Sequence, residues 1–204
     1  MQAPEYQELC TTLGLDHKQP HRKVWEFAYI LAALRAKGML LSGKRGLGFG
    51  TGHEPLPSVL ASVGAHVMAT DAPAELKSSS RWADNGQWTK DVEDLWKPAL
   101  VQKEDFFLRV QHRPIDMNAI PTDLRGYDFS WSACALEHLG SIKLGFAFIQ
   151  NSLDTLKPGG VAVHTTEFKL QSDGETLELP GLCIPRKRDI EQFIHELAAD
   201  GHHV

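Results

Sequence analysis

The segment Gly46-Leu47-Gly48-Phe49-Gly50-Thr51-Gly52 places four glycines in seven residues. Glycine at that density lets the backbone take positive φ and lets a ligand come close to the main chain. A helix beginning just after such a loop presents free N–H groups and the positive end of its dipole to an anion. Asp71 stands about twenty residues further on, where a carboxylate can accept both hydroxyls of a ribose. Together these residues point to a nucleotide-type ligand in preference to a plain strand–helix turn with a solvated aspartate. Two specific nucleotide loops fail at named positions. A GxGxxG fingerprint meets Thr51 when read from Gly46 and His53 when read from Gly48. A Walker loop needs serine or threonine after Gly43-Lys44, and Arg45 is there. What remains is a GxGxG loop whose anion need only be a carboxylate.

A second group of residues can handle protons. Glu137-His138 follows an apolar run, and His138 can act as a base near neutral pH. The same pair also suits a capping or packing role. Of ten histidines, His138 and His164 are the two candidates for such work, the latter three residues before Glu167.

The elements that must position these groups alternate. Helices are predicted over 4–14 and 21–37; in the second, Val24, Phe27, Ile30, Leu31 and Leu34 recur at helical spacing and Gly38 provides the stop. A strand over 39–48 runs into the glycine loop, and Pro55 and Pro57 open a helix that ends at Gly64. Further strands are predicted over 65–70, from Phe106 towards Ile115, over 127–133 and over 161–168. Helices follow over 140–156 and 185–199, and Lys157-Pro158-Gly159-Gly160 reads as a turn. The irregular stretch 73–100 holds an acidic helical piece around Val92–Trp96, and also Trp82 and Trp88. These tryptophans read as packing, or, with 81–88, as a lid over the site. Strands separated by helices imply parallel pairing with right-handed crossovers, hence an α/β three-layer sandwich.

Composition narrows the function classes. Twenty-one basic residues against 26 acidic ones give a formal charge of −5, so no nucleic-acid partner is expected. Cys10, Cys134 and Cys183 form no CxxC pair, which argues against a disulfide framework or a thiolate zinc site and favours a reducing compartment. The first twenty residues lack an apolar core, and the apolar stretch 27–34 is too short to span a bilayer. A cytoplasmic protein with no membrane partner is expected.

In order and spacing, the chain resembles the class I S-adenosylmethionine-dependent methyltransferases over about residues 40–168. The matching pieces are GLGFGTG, Asp71, Ile115-Asp116-Met117, DFSWSACALEHLG and Leu156-Lys157-Pro158-Gly159-Gly160. The resemblance implies a Rossmann-like, mostly parallel sheet with S-adenosylmethionine as cofactor. The loop at Gly46, Gly48, Phe49 and Gly50 would pack against its methionine part. Asp71 would bind the ribose, Asp116 the adenine amino group, and Met117 would offer a backbone N–H beside the ring. Ser132 and Ala133 would lie near the sulfonium. Thr51 and Glu54 fall at the helix start, where Glu54 would neutralise the α-amino group or merely favour the helix dipole.

Residues 1–38 are expected to form a helical cover and 39–204 the cofactor-binding domain. The family's last two strands find no segment before Val204, so either the sequence is cut short there or the sheet lacks one or both and closes its edge otherwise, for example in a homodimer. Metal-assisted members of the family resemble ExxEH around the fourth strand. Cys134 replaces the first acid here, so no metal is expected with His138, His164 and Glu167. The implied reaction is methyl transfer to a small molecule or sugar, with Glu137 and His138 as catalytic candidates. Oxygen is the expected acceptor atom, because Ser132-Ala133-Cys134-Ala135 occupies the place of an Asn/Asp-Pro-Pro-Tyr/Phe motif. An NAD-type oxidoreductase and a noncatalytic binding protein are the alternatives.

Overall fold

A computed structural model describes residues 3–18, 21–77, 88–89, 91–170 and 174–204. Two helices, α1 (Ala3–Thr12) and α2 (Arg22–Ala36), precede the first strand. Then come β1 (Arg45–Phe49), α3 (Leu56–Ser62), β2 (His66–Asp71), α4 (Ala74–Lys77), α5 (Lys103–Arg109), β3 (Val110–Pro114) and β4 (Tyr127–Ala133). After β4 lie α6 (Ile142–Leu153), β5 (Leu156–Thr165), the short strands β6 (Leu177–Leu179) and β7 (Leu182–Ile184), and α7 (Lys187–Ala199). Two 3-10 turns, Val92–Leu95 and Leu136–His138, complete the described elements.

Five strands pair in parallel in the order β3-β2-β1-β4-β5. The chain reverses its direction of travel across the sheet between β1 and β4, and the carboxyl ends on either side of that switch form the natural crevice of such a fold. On one face, Phe129, Trp131, Ala69 and Val163 pack with the apolar sides of α1, α2, α3 and α5. On the other, Leu47, Phe49 and Ile115 pack with Phe148 of α6. The result is the expected three-layer α/β sandwich. Among the described residues no sixth or seventh strand joins the sheet; β6 and β7 form a separate antiparallel hairpin. None of the described helices is long and apolar enough to cross a membrane.

Local chemistry sets the boundaries. The ring of His21 accepts the Lys23 N–H at the start of α2, and Gly38, at φ 67°, ends that helix as the Met39 N–H reaches back to the Leu34 carbonyl at 2.9 Å. Two expectations change. The apolar run from Phe106 is helical, since acidic Glu104 and Asp105 open the first turn of α5 and only Val110–Pro114 pairs with β2. A short apolar run fits either element, and burial of Phe106 under the helical layer decides it here. Residues 157–160 are not a free turn but part of β5, absorbed as a register shift between the Tyr127 and Phe129 pairings.

Candidate functional site

A cleft of about 540 Å³ opens at the carboxyl ends of β1, β2, β3 and β4, within the range of small-ligand sites. Its lining brings together Gly50, Thr51, Glu54, Asp71, Asp116, Met117, Ala133 and His138 from segments far apart in sequence. The glycine loop is stitched to β2: the Thr51 N–H donates to the Thr70 carbonyl at 3.0 Å, and the Thr70 hydroxyl to the Gly48 carbonyl at 2.7 Å. Gly50 turns at φ 61° and Gly52 at φ 49°. Asp71 accepts the Ala72 N–H at 2.8 Å and the Thr89 N–H at 3.0 Å, while the Thr89 hydroxyl donates to the Gly52 carbonyl. The Ile115 N–H donates to the Asp71 carbonyl at 2.8 Å, which brings Asp116 and Met117 to the same rim.

Other expected residues lie elsewhere. A Cβ on Gly46 would stand 2.4 Å from the Phe129 ring, and one on Gly48 2.5 Å from the Trp131 ring. Those two glycines therefore make room for β4 aromatics within the sheet, and neither lines the cleft. Phe49 is fully buried against Phe148 on the opposite face. The Ser132 side chain also turns away from the cleft, its Oγ 2.9 Å from His164 Nδ1, because alternate residues of a strand face opposite layers. His164 is held between Ser132 and Ser152 in a buried position that pulls its pKa down to about 4, so it is neutral and does not line the cleft. Among the described residues no group of three or more His, Cys, Asp or Glu is placed to hold a metal. Glu137 is buried behind the lining, with Oε1 lacking a hydrogen-bond partner and burial raising its pKa. Trp88 donates to the Ala72 carbonyl at 3.2 Å and Trp96 packs on Phe107; Trp82 and the rest of 78–87 lie outside the described residues.

Glu54 is the electrostatic outlier. Its carboxyl is 5% exposed, and Oε1 accepts the Trp131 indole N–H at 2.5 Å. Among the described residues it makes no ion pair, and burial pushes its pKa up to about 8.

Several lining groups were not foreseen. Lys23 and Phe27 of α2 enter the cleft, as do Cys134, Leu139 and Gly181. The Lys23 ammonium donates to the Ala133 carbonyl at 2.6 Å and pairs with Glu26 at 3.3 Å. Arg22 meets Cys134 Sγ at 3.0 Å and Glu167 at 2.7 Å, and the Cys134 thiol donates to Glu26 at 3.1 Å. Burial and the neighbouring carboxylates Glu137 and Glu26 push the thiol pKa up, leaving Cys134 un-ionised. Gly181, at the tip of the β6–β7 hairpin, accepts the His138 Nδ1–H at 2.7 Å. Pro180-Gly181 between leucines is a hairpin signal in the sequence. Nothing in the sequence marks Lys23.

No protein-family model matches the chain, and no curated protein matches it. Solved structures do. The complex of DhpI with SAM and HEP aligns over 97% of this chain and 86% of its own, at 16% identity and TM-score 0.53. Magnesium protoporphyrin IX methyltransferase from Synechocystis, with bound SAH, aligns over 95% and 82%, at 13% identity and TM-score 0.55. The cyclase SpnF aligns over 94% and 68%, at 18% identity and TM-score 0.59. The chain has the fold of the class I S-adenosylmethionine-dependent methyltransferases.

Proposed function

We propose that this protein transfers a methyl group from S-adenosylmethionine to a small-molecule or sugar acceptor, at oxygen. One observation carries the reading: on this fold, a single cleft collects the turning glycines 50 and 52, the two acids Asp71 and Asp116 at successive strand ends, and the buried carboxyl Glu54. The unpaired Glu54 fits a ligand with an ammonium group, as this cofactor has.

When bound, the cofactor supplies an electrophilic methyl group on a sulfonium. The protein's part is to orient both partners and move a proton. Asp71 would accept the ribose hydroxyls, its position fixed by two backbone N–H donors. Asp116 would accept from the adenine amino group beside the Met117 N–H. A neutral hydroxyl must lose its proton on methylation. His138 lines the cleft with Nδ1–H committed to the Gly181 carbonyl, so the neutral ring carries its basic lone pair on Nε2. Glu137, shut behind the lining, would act only on the shape of that loop.

Titration calorimetry with S-adenosylhomocysteine and with NAD(H) tests the reading. Binding of the former alone is expected; binding of NAD(H) alone would move the protein to the oxidoreductases. Since SpnF places a cyclase on this fold, methyl turnover must be measured besides binding, and binding without turnover would favour a noncatalytic role. The outer edge of β5 has no strand partner among the described residues, and a homodimer paired along it is the proposed closure. A monomer in sedimentation equilibrium would remove that element.

A further inference from the structure

After β5 the chain leaves the body at Lys169 and returns at Arg186, and the two ends pair. The Lys169 N–H donates to the Pro185 carbonyl at 2.8 Å, and Lys169 bridges to Arg186 in parallel. Arg186 is fixed in turn by a two-pronged contact with Asp189 of α7, at 2.8 and 2.7 Å. The β6–β7 hairpin projects from this neck and packs its second strand against the 3-10 turn Leu136–His138. Among the residues of its two strands only Cys183 is buried, and Leu179 is exposed. Little apolar surface holds the hairpin down, so its polar contacts decide where it sits. Two of them reach the body. The Glu178 carboxylate accepts the Ile142 N–H at 2.9 Å, where it also meets the positive end of α6. At the tip, the Gly181 carbonyl takes the His138 Nδ1–H at 2.7 Å in the wall of the cleft.

A carbonyl oxygen can only accept, so this contact requires the proton on Nδ1. A histidine side chain in water favours the other neutral form, with its proton on Nε2, so the hairpin holds the ring in its less favoured tautomer. We propose that the β6–β7 hairpin is a positioning device for His138: the Gly181 carbonyl sets the tautomer that leaves a lone pair on Nε2, and Glu178 locks that carbonyl in place. The proposal rests on the methyltransferase reading for the use made of the lone pair, and adds to it the element that creates the base. Because Gly181 is also part of the cleft wall, docking of the hairpin couples two events. With the tip raised, that side of the cleft is open and the ring relaxes to the Nε2–H form, which has no basic lone pair on Nε2. With the tip docked, that side is closed and Nε2 can take the acceptor's hydroxyl proton. The ring is then a cation with both nitrogens donating, and its bond to the Gly181 carbonyl strengthens, which holds the wall shut while the proton is on the ring.

Long-range proton–nitrogen correlation spectra of the full chain, grown with isotope-labelled histidine, read the tautomer directly. His138→Gln identifies the resonances of this ring among the ten histidines. With the ring neutral, wild-type His138 is expected to show Nδ1 at a protonated position and Nε2 at an unprotonated one. Glu178→Ala should move the ring to the reverse pattern. Glu178→Gln, which keeps an acceptor for the Ile142 N–H, should keep the wild-type pattern. Gly181→Ala is the second variant. Its Cβ would meet nothing within 4 Å, but φ 81° strains any residue with a side chain, so the carbonyl should turn and the tautomer with it. Thermal midpoints confirm that each variant is folded. A wild-type ring in the Nε2–H form overturns the proposal, and so does an Nδ1–H ring that survives both Glu178→Ala and Gly181→Ala. A response to Gly181→Ala alone overturns the part given to Glu178. Calorimetry with S-adenosylhomocysteine separates the underlying reading. A protein that shows the tautomer change but binds no S-adenosylhomocysteine loses the methyltransferase reading and keeps the coupling; one that binds it without the change keeps the reading and loses the coupling.

Discussion

At the glycine-loop end of the cleft, the ligand-facing groups come from the ends of β1, β2 and β3, and backbone hydrogen bonds hold them. Thr51 is pinned to Thr70, Asp71 to the N–H groups of Ala72 and Thr89, and Ile115 to Asp71. At the opposite end the walls come from α2 (Arg22–Ala36), the 3-10 turn after β4 (Leu136–His138) and the β6–β7 hairpin (177–184), elements far apart in sequence. There the contacts are made by side chains: Arg22 to Glu167, Lys23 to Glu26 and Cys134 to Glu26 between side chains, and His138 to the Gly181 carbonyl. Backbone stitching fixes a shape that survives changes of side chain. An ion and thiol cluster fixes one that individual substitutions can retune.

The sharpest way to break that contrast lies inside the glycine loop. If Gly46 and Gly48 served the ligand, alanine there would weaken binding and spare the fold. The rings of Phe129 and Trp131 occupy the space a Cβ would need, at 2.4 and 2.5 Å, in a fully buried layer. Gly48→Ala is therefore expected to destabilise the protein by about 3 kcal/mol in denaturant unfolding. A variant of wild-type stability that binds S-adenosylhomocysteine poorly would return Gly48 to the ligand.

This also shows how far the sequence could be read. The GxGxG pattern, Asp71 and Asp116 sit at strand ends, and strand ends follow from the alternation of apolar runs and turn signals. The glycine-loop end of the cleft was thus legible. Which glycines face the ligand was not, because that depends on the ring opposite each one in β4, a matter of sheet register. The opposite end was mostly hidden. Lys23 and Glu26 read as the polar positions of an amphipathic helix, and only the docking of α2 on β4 and β5 turns them inward. His164, by contrast, was drawn to the site by its place in the strand, whereas the two-residue period of β5 sends it to the α6 side.

Glu54 belongs to the stitched end but is held by a side chain, so it tests whether the contrast is complete. Its carboxyl has a folded pKa near 8 against 4.5 for an ordinary glutamate. The folded protein keeps this proton after the unfolded chain has lost it, so stability is fully present below about pH 4.5. It declines as pH rises towards 8 and is level beyond. Glu54→Gln removes that decline. The variant should exceed wild type by about 3 kcal/mol at pH 7 and match it near pH 4, as read from thermal unfolding across pH. Parallel curves for the two proteins would show that Glu54 is ionised and paired in the free state. For the wild type, affinity for S-adenosylhomocysteine should climb from pH 6 to 8 as the carboxylate forms.

Asp71 separates the two uses of a stitched residue. Alanine there frees two backbone N–H groups and removes the carboxylate proposed to hold the ribose. A loss of about tenfold in S-adenosylhomocysteine affinity is expected by calorimetry, with methylthioadenosine, which keeps the ribose, losing as much. A loss confined to S-adenosylhomocysteine would mean that Asp71 serves the amino-acid end instead.

The smallest effect is expected at the opposite end, from the Arg22–Glu167 pair at 2.7 Å. Both side chains are partly exposed, 51% and 35%, so water and salt screen the attraction and ordering two long side chains offsets much of the rest. Glu167→Gln should lower stability by about 0.5 kcal/mol at low ionic strength, with the difference vanishing in molar salt. S-adenosylhomocysteine affinity should not change, because Lys23 keeps its own contacts with Ala133 and Glu26. A larger loss that persists in salt would place the hold on α2 in this pair and not in the buried Glu26–Cys134 contact beneath it. The α2 end of the cleft would then depend on a solvent-facing ion pair, and its geometry should vary with ionic strength while the glycine-loop end stays fixed.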